Sequence, residues 1–549
     1  MAVDVEYPDL LNTSILELQK GIDAGHWTSV DLIKAYTARV AEANPAINAV
    51  IALNPDALAL AKACDAERVK SPSAKRSPLF GIPLLIKDNV ATKEMDCTAG
   101  SLALVGAKTA QDSTVVKKLK EAGAIIFGRA NLSEWAYFRS WDNSSGFSGL
   151  GGQTYCAFHP QGDPSGSSSG SGAAMAVGLA AATIGSETSG SIISPSTRNN
   201  CVGIKPTIGL VSRYGVVPIS HSQDSAGPMC ATVEDCAIIL DAIAGPDTKD
   251  EATKKAPLER ASYLAELDPS SIKKARIGVS HQFKKSLEAH MKDDPDPAKR
   301  PKYGEKIRPT PYITETFDAA VEKIRAIGGV ELVEVELDWT DELAEQLEKD
   351  EFQVLISEFK TGVNAYLGAL DDVPTGCRTL EDLIQFNIDH KEQEMPVRNE
   401  KQENFEKALA TKGLDEPVYV EARERCLRHS TKEGLDKVFA EYKLDAVITF
   451  SDSPPKLLSW MAALSGYPIC SVPLGFLPED VETTKVLPLR RGPNFPFGLV
   501  MVGLAWTEAK LLSYAKAIEE VTQVRKTGKP FKAAIPTTNL EDVVGTKNS

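Results

Sequence analysis

Short apolar segments alternate with helical patterns along most of this chain, and this order restricts the folds it can adopt. The run at 81–87, Gly-Ile-Pro-Leu-Leu-Ile-Lys, is typical of a buried strand that reaches the edge of a sheet. A helical pattern at 112–122 follows it, and then an apolar strand at 124–128. This order predicts an α/β protein with a large mixed sheet covered by helices. Further strands are predicted at 275–279, 330–337, 446–450 and 498–503.

The N-terminal region carries helix-start signals. Ser14-x-x-Glu17 and Thr28-x-x-Asp31 both match the capping box, in which the two side chains satisfy free backbone N–H groups at a helix start. They predict two short helices, and a third helix is predicted at 56–69.

Composition narrows the class of protein. The chain has 549 residues, of which 42% are hydrophobic and 25% charged, as in ordinary globular proteins. Its net charge of −14 disfavours nucleic acid and anionic membranes as partners. The nine cysteines are scattered and never spaced C-x-x-C, so neither a disulfide framework nor a structural metal is predicted.

The N-terminal segment and the apolar runs indicate the cellular location, and the length and the charged stretches indicate the domain organisation. The first twenty residues lack a signal-peptide pattern, and the longest apolar run, 173–184, is too short to span a bilayer. We therefore expect a cytoplasmic protein with no membrane partner. Length alone suggests three or four domains of ~150 residues. The charged stretches 246–274 and 284–310 are predicted to be surface insertions, and 536–549 a flexible tail.

The densest motif is rich in serine and glycine. Residues 163–172 read Asp-Pro-Ser-Gly-Ser-Ser-Ser-Gly-Ser-Gly, and residues 185–192 read Gly-Ser-Glu-Thr-Ser-Gly-Ser-Ile. A flexible linker has such a composition, but the small apolar residues that follow at 173–184 predict a tightly packed helix. Glycines at such a place let the backbone approach a ligand and turn its N–H groups inward.

Residues 166–170 also match G-x-S-x-G, the nucleophile elbow of many serine hydrolases, with Ser168 at the centre. The elbow must follow a buried strand, whereas 158–164 form a polar, turn-prone stretch. A Ser-His-Asp enzyme also needs a later histidine, and no histidine here lies in a supporting pattern. The context therefore does not favour an elbow.

A lysine can activate a serine when burial lowers the lysine pKa enough to keep the amine neutral. Lys87, at the end of an apolar strand, fits that need, and a snorkelling or salt-bridged lysine is the alternative. Asp88 follows directly, but in an extended segment the two side chains point to opposite faces.

The order and spacing of these motifs strongly resemble the amidase signature family of amide hydrolases. The likeness covers roughly residues 9–535, and within the family it is strongest to the branch that contains peptide amidase. The family motifs lie at 81–89, 165–172, 185–192, 202–207, 222–228 and 497–503, and the branch motifs at 131–135, 151–154 and 219–224.

This resemblance implies one large α/β/α domain, which we place at residues 1–535, with a Ser-cisSer-Lys triad. Lys87 matches the family's base, Ser167 the bridging serine with its cis peptide, and Ser191 the nucleophile. Ser168 and Asp88 are supporting candidates. An oxyanion hole, which stabilises charge on the carbonyl oxygen, is matched by four backbone N–H groups. They belong to Thr188, Ser189, Gly190 and Ser191.

Substrate preference does not follow from the resemblance, because this chain departs from the usual pattern beside the site. Ser169-Gly170 replaces a glycine pair, and Ser189 lies two positions before the nucleophile. Candidate substrate-binding residues are Trp135, Gln153 and Trp460, although aromatic residues at helical spacing are often plain core.

The sequence thus predicts an amidase without cofactor or metal, acting on a small amide or a peptide amide as a monomer or homodimer. The alternative is a partner-dependent amidotransferase subunit with the same fold. Family members that act on misacylated tRNA resemble this chain less, because their nucleophile motif is Gly-rich and contains arginine. Here Ile-Ile-Ser-Pro-Ser follows the nucleophile at 192–196.

Overall fold

A computed structural model describes residues 5–257, 261–281, 311–338, 340–451 and 457–545. Its strands are β1 Val50–Leu53, β2 Pro83–Lys87, β3 Ile125–Ala130, β4 Phe147–Ser148, β5 Gly152–Gln153, β6 Ala182–Glu187, β7 Val202–Lys205, β8 Ser225–Cys230, β9 Arg276–Val279, β10 Glu331–Glu334, β11 Ala446–Ser451, β12 Ile469–Phe476 and β13 Pro496–Val502.

The described α-helices begin with α1 Ile15–Asp23, α2 Ser29–Ile47, α3 Ala57–Lys70, α4 Thr114–Glu121, α5 Ser169–Ala176, α6 Ile193–Arg198 and α7 Val233–Ile243. They continue with α8 Pro311–Ala326, α9 Asp341–Gly368, α10 Leu380–Asp389, α11 Lys391–Glu394, α12 Glu403–Leu409, α13 Pro417–Ser430, α14 Asp436–Tyr442, α15 Leu457–Ser465, α16 Glu508–Thr522 and α17 Leu540–Gly545.

Eleven strands form one mixed sheet in the order β1-β3-β2-β6-β8-β7-β12-β13-β11-β9-β10. Strands β2 and β6 are parallel neighbours, and β8 runs antiparallel to both β6 and β7. The carboxyl ends of β2, β6 and β7 therefore meet at one edge of the sheet. Helices cover this sheet, which confirms the predicted single α/β domain.

Both predicted capping boxes are present at the starts of α1 and α2. The second helix, however, is 19 residues long and not short. It continues to Ile47 because apolar residues recur along one buried face.

The helix predicted over 173–184 is wrong in its second half. Helix α5 ends at Ala176, and the chain turns at Gly178, which has a φ of +63°. A Cβ atom there would lie 2.3 Å from the carbonyl oxygen of Leu10, so only glycine fits. The β-branched pair Thr183 and Ile184 then favours a strand, and β6 begins at residue 182.

The C-terminal segment, predicted to be a flexible tail from residue 536, is described as far as residue 545 and contacts α2. Glu42 accepts hydrogen bonds from Thr537 and Thr538, and Leu540 is fully buried. Leu540 and Val544 lie one helical turn apart, so α17 has a small apolar face.

The first of the two predicted charged insertions is described except for residues 258–260. Segment 246–274 contains short 3-10 helices at Glu251–Lys255 and Pro269–Lys274, and Ile272 anchors it in the core. The insertion predicted at 284–310 lies outside the described residues.

Candidate active site

Lys87 is the last residue of β2 and is fully buried. Its Nζ lies 2.8 Å from Ser167 Oγ, 3.0 Å from Ser186 Oγ and 3.1 Å from the Ser186 carbonyl oxygen. A neutral amine can fill this arrangement by accepting one hydroxyl proton and donating two hydrogen bonds. Asn89 donates a further bond to Ser186 Oγ at 2.9 Å, which fixes that hydroxyl beside the amine.

Burial lowers the pKa of Lys87 to about 7, while the negative charges of Glu187 and Asp224 act in the opposite direction. Desolvation is the larger effect because a buried ammonium loses its hydration shell. A substantial fraction of this amine is therefore neutral near pH 7.

Ser167 and Ser191 are carried by two loops that meet beside Lys87. The peptide bond between Gly166 and Ser167 is cis, as predicted. The backbone N–H of Ser168 donates to the carbonyl oxygen of Ser191 at 3.1 Å, which ties the loops together. Ser167 is buried and Ser191 is half-buried.

No hydrogen bond joins the Ser191 hydroxyl to Ser167 in the described part of the chain. A direct proton transfer between them therefore requires the two hydroxyls to form that hydrogen bond. Catalytic hydrogen bonds commonly tighten only when substrate binds.

The four backbone N–H groups predicted for the oxyanion hole lie in the loop between β6 and α6. None of them donates a hydrogen bond to another described residue. Gly190 has a φ of +84°, a left-handed conformation that glycine adopts at little cost. Free N–H groups in this loop can bind a ligand's oxygen.

Glu187, at the end of β6, fixes the end of this loop that leads into α6. Its carboxylate accepts the backbone N–H groups of Ile192 and Ile193 at 2.7 and 2.9 Å. An acidic side chain is favourable there because these N–H groups begin α6.

Asp224 fixes the start of the same loop, at Thr188. Its Oδ1 accepts the Thr188 hydroxyl at 2.6 Å, and its Oδ2 accepts the backbone N–H groups of Ile219 and Ser220 at 2.8 and 2.9 Å. Burial raises the pKa of Asp224 to about 6, although these hydrogen bonds act to lower it. The carboxyl group is therefore mostly ionised at neutral pH.

The two supporting candidates, Ser168 and Asp88, make different kinds of contact. The Ser168 hydroxyl donates to the Ser186 carbonyl oxygen at 3.1 Å and accepts the Ser186 N–H at 3.3 Å. Asp88 turns away from Lys87 and lies 3.6 Å from the Arg129 guanidinium. Burial raises the pKa of Asp88, against the opposing effect of Arg129. The expected opposite orientation of Lys87 and Asp88 is thus observed.

The three candidate substrate-binding residues make contacts of other kinds. Trp135 is buried and packs edge-on against Phe405 at 5.9 Å. Gln153 donates to the carbonyl oxygens of Ser145 and Thr154. Trp460 donates to the Glu351 carboxylate at 2.7 Å. A substrate role for Trp135, Gln153 and Trp460 stays a prediction.

Away from the triad, the described residues form a surface cavity but no metal-binding cluster. A surface cavity of about 680 Å³ lies along α10 to α12, and no triad residue lines it. Within the described residues there is no group of three His, Cys, Asp or Glu side chains that could hold a metal ion. No helix in the described ranges is both long and apolar enough to cross a membrane.

Sequence reasoning missed Ser186, Asn89, Glu187 and Asp224 as parts of the site. All four lie inside the family motifs, and this position in the sequence was a signal that they could belong to the site. Their function depends on contacts between segments that the spacing alone does not specify.

The chain is similar in sequence and in fold to several known proteins. A family model described as Amidase matches residues 31–299. The structure of peptide amidase from Stenotrophomonas maltophilia is 37% identical with a TM-score of 0.80, covering 96% of this chain and 98% of that one. A relative from Arthroderma benhamiae, provisionally named an amidase, is 35% identical over 96% of this chain and 88% of its own length. A glutamyl-tRNA(Gln) amidotransferase subunit from Acinetobacter baumannii is 29% identical over 94% of this chain and 97% of its own length.

Proposed function

Because the chain belongs to the amidase signature family and is an amide hydrolase, we propose that it cleaves carboxamides through Ser191, Ser167 and Lys87. Ser191 is the nucleophile, Ser167 is the bridge and Lys87 is the base. The observation that supports this proposal most is the 2.8 Å contact between the buried Lys87 amine and the Ser167 hydroxyl.

In the first step, Ser191 Oγ forms a bond to the amide carbon, and the carbonyl electron pair moves to its oxygen. The Ser191 proton passes to Ser167 Oγ while the Ser167 proton passes to Lys87 Nζ. A neutral amine is required for this transfer, and the lowered pKa of Lys87 provides it at neutral pH. The oxyanion is stabilised by the free N–H groups from Thr188 to Ser191.

In the second step, the tetrahedral intermediate breaks its C–N bond. The Lys87 ammonium returns a proton through Ser167 to the leaving nitrogen, which departs as ammonia or an amine. The product is an ester between the acyl group and Ser191. Water then attacks this ester by the same relay, which releases the acid and restores Ser191.

The substrate class is a carboxamide, and the similarity to peptide amidase makes a peptide amide a candidate. No cofactor or metal is needed in this scheme, because lysine supplies the base and backbone groups stabilise the oxyanion. That the protein is a monomer or homodimer, and that it is cytoplasmic, stays a prediction.

The proposal is tested by labelling the purified chain with a serine-reactive phosphonate and locating the adduct by mass spectrometry. We expect the adduct on Ser191, with ammonia release from simple amides. Ser191→Ala should abolish both signals while the protein remains folded. Ser194→Ala is a matched control, because this half-buried serine lies three residues further along and should leave labelling intact. Full amide turnover by Ser191→Ala would contradict the assignment.

The similarity to the amidotransferase subunit supports a second candidate function, in which the chain works only with a partner protein. Assays of the purified chain with aryl, aliphatic and peptide amides separate the two. Turnover without any added protein supports the amidase, whereas labelling of Ser191 without turnover supports the partner-dependent subunit.

A further inference from the structure

Glu358 is a buried carboxylate on α9 that contacts a loop of the sheet layer. Its Oε2 accepts the Ser222 backbone N–H and the Ser222 hydroxyl, both at 3.0 Å, and also the Ser220 hydroxyl. Its Oε1 accepts the Tyr419 hydroxyl of α13 at 2.8 Å. This side chain has no solvent exposure, so these donors replace its hydration.

Two positively charged or chargeable groups also face Glu358. His221 Nδ1 lies 3.5 Å from Oε2, and Arg423 Nε lies 3.9 Å from Oε1. Both side chains are about half exposed, so their charges are screened by water. The hydroxyl and backbone donors are therefore the contacts that fix the carboxylate.

The loop 219–224 leads from Glu358 to the oxyanion hole. Ser220 contacts Glu358 through its hydroxyl and Asp224 through its backbone N–H. Asp224 in turn accepts the Thr188 hydroxyl at 2.6 Å. One continuous series of hydrogen bonds thus connects helix α9 to Thr188, the first residue of the loop that carries the predicted oxyanion hole.

We propose that Glu358 is a positioning residue that sets the oxyanion hole through Ser220, Asp224 and Thr188. This inference rests on the proposed function, since it assigns a role in stabilising the transition state at the same site. Glu358 does not touch the substrate. It restrains loop 219–224, so Asp224 can hold Thr188 at the orientation that directs the neighbouring N–H groups.

The test compares Glu358→Gln with Asp350→Asn in the full-length protein. Asp350 is a buried carboxylate on the same helix that pairs with Arg425 of α13 at 2.8 Å, and no hydrogen bond joins it to loop 219–224 in the described structure. Both substitutions weaken contacts between α9 and α13. Only Glu358→Gln also replaces the charged acceptor of Ser220 and Ser222.

For Glu358→Gln we expect kcat to fall by about 10- to 100-fold with KM within about twofold, because oxyanion contacts are made mainly in the transition state. The affinity for an aliphatic boronic acid, which forms a tetrahedral adduct on serine, should fall by a similar factor. Asp350→Asn should keep kcat within about twofold.

If Glu358→Gln does not fold, Ser220→Ala supplies the same test, because its backbone N–H to Asp224 remains. We then expect a smaller fall in kcat, again with KM unchanged. A kcat equal to wild type, or an equal fall in Asp350→Asn, would overturn the positioning role. Phosphonate labelling of Ser191 in wild type and in Glu358→Gln distinguishes this outcome from failure of the proposed function, which would remove labelling in both.

Discussion

Two lysines, Lys87 and Lys205, are fully buried at the same edge of the sheet, yet their surroundings differ. Burial lowers the pKa of Lys87 to about 7 and that of Lys205 to about 8, and the charge of Glu187 opposes the shift in both. Lys87 Nζ contacts the hydroxyls of Ser167 and Ser186. Lys205 Nζ donates only to the carbonyl oxygen of Pro206 among the described residues.

This difference separates two requirements for a catalytic base, a lowered pKa and a proton-donating partner. A base also needs a group that can give it a proton, and a hydroxyl does so whereas a carbonyl oxygen cannot. Glu187 and Glu508 lie near Lys205 and favour its charged form. We therefore propose proton transfer for Lys87 and an electrostatic role for Lys205.

The largest effect is expected from removing the Lys87 amine. Lys87→Met should lower kcat/KM by about 10³-fold or more, because it removes the proton acceptor from a buried relay. Lys87→Arg should be equally inactive, since guanidinium does not lose its proton in this range. Steady-state amide hydrolysis measures both. Substantial activity in Lys87→Arg would mean that the base lies elsewhere.

The pH dependence should report the same amine. Since the base works in its neutral form, kcat/KM should rise with pH and level off above the Lys87 pKa of about 7. Below that value the neutral fraction, and with it kcat/KM, falls about tenfold per pH unit. Asp224, with a pKa of about 6, titrates over the lower part of the same range and adds to the fall in kcat/KM near and below pH 6. A rate that falls as pH rises from 6 to 8 would contradict the assignment.

Lys205→Met should have a smaller effect, with kcat/KM reduced by less than about tenfold. The pH limb should keep its midpoint near 7, because Lys87 and its hydroxyl partners remain in place. A loss as large as that of Lys87→Met, together with a displaced limb, would show that Lys205 takes part in proton transfer.

The smallest effect is expected from Ser168→Ala. The hydroxyl holds the backbone of Ser186, which supplies two of the three contacts of the Lys87 amine. Ser168→Ala removes both hydrogen bonds to Ser186, but it leaves the groups around Lys87 in place, so we expect a loss of about 1 kcal/mol, or about fivefold, in kcat/KM. The same variant should still be labelled on Ser191. An effect as large as that of Ser191→Ala would restore the nucleophile-elbow alternative.

Sequence could predict the elements that local pattern specifies. The apolar run that leads into Lys87 is enough to place this lysine at a strand end, and the predicted β3, β9 and β11 agree with the observed bounds within one or two residues. The prediction of a helix over 173–184 was wrong beyond Ala176. The small apolar residues favour a helix throughout, whereas the turn at Gly178 depends on a contact with Leu10, far away in the sequence.

The parts of the site that could not be predicted depend on long-range contacts. Glu358 and Asp224 lie far apart in the chain, and nothing in the local pattern around Glu358 distinguishes it from an exposed helical glutamate. Their connection arises only where α9 packs on the loop 219–224. The contacts of Thr537 and Thr538 could not be predicted for the same reason, because they are made with α2, at the other end of the chain.

The strand order of the sheet affects how this enzyme folds during its synthesis. Strand β7 is covered on its outer side by β12, which pairs with it at Ile469↔Lys205 and belongs to the last sixth of the chain. A ribosome therefore releases the segment with Ser191 and Lys205 long before the strand that closes it. Until then the nascent half presents an open sheet edge, which favours unwanted pairing with other chains. We expect catalytic competence to appear only when synthesis is nearly complete.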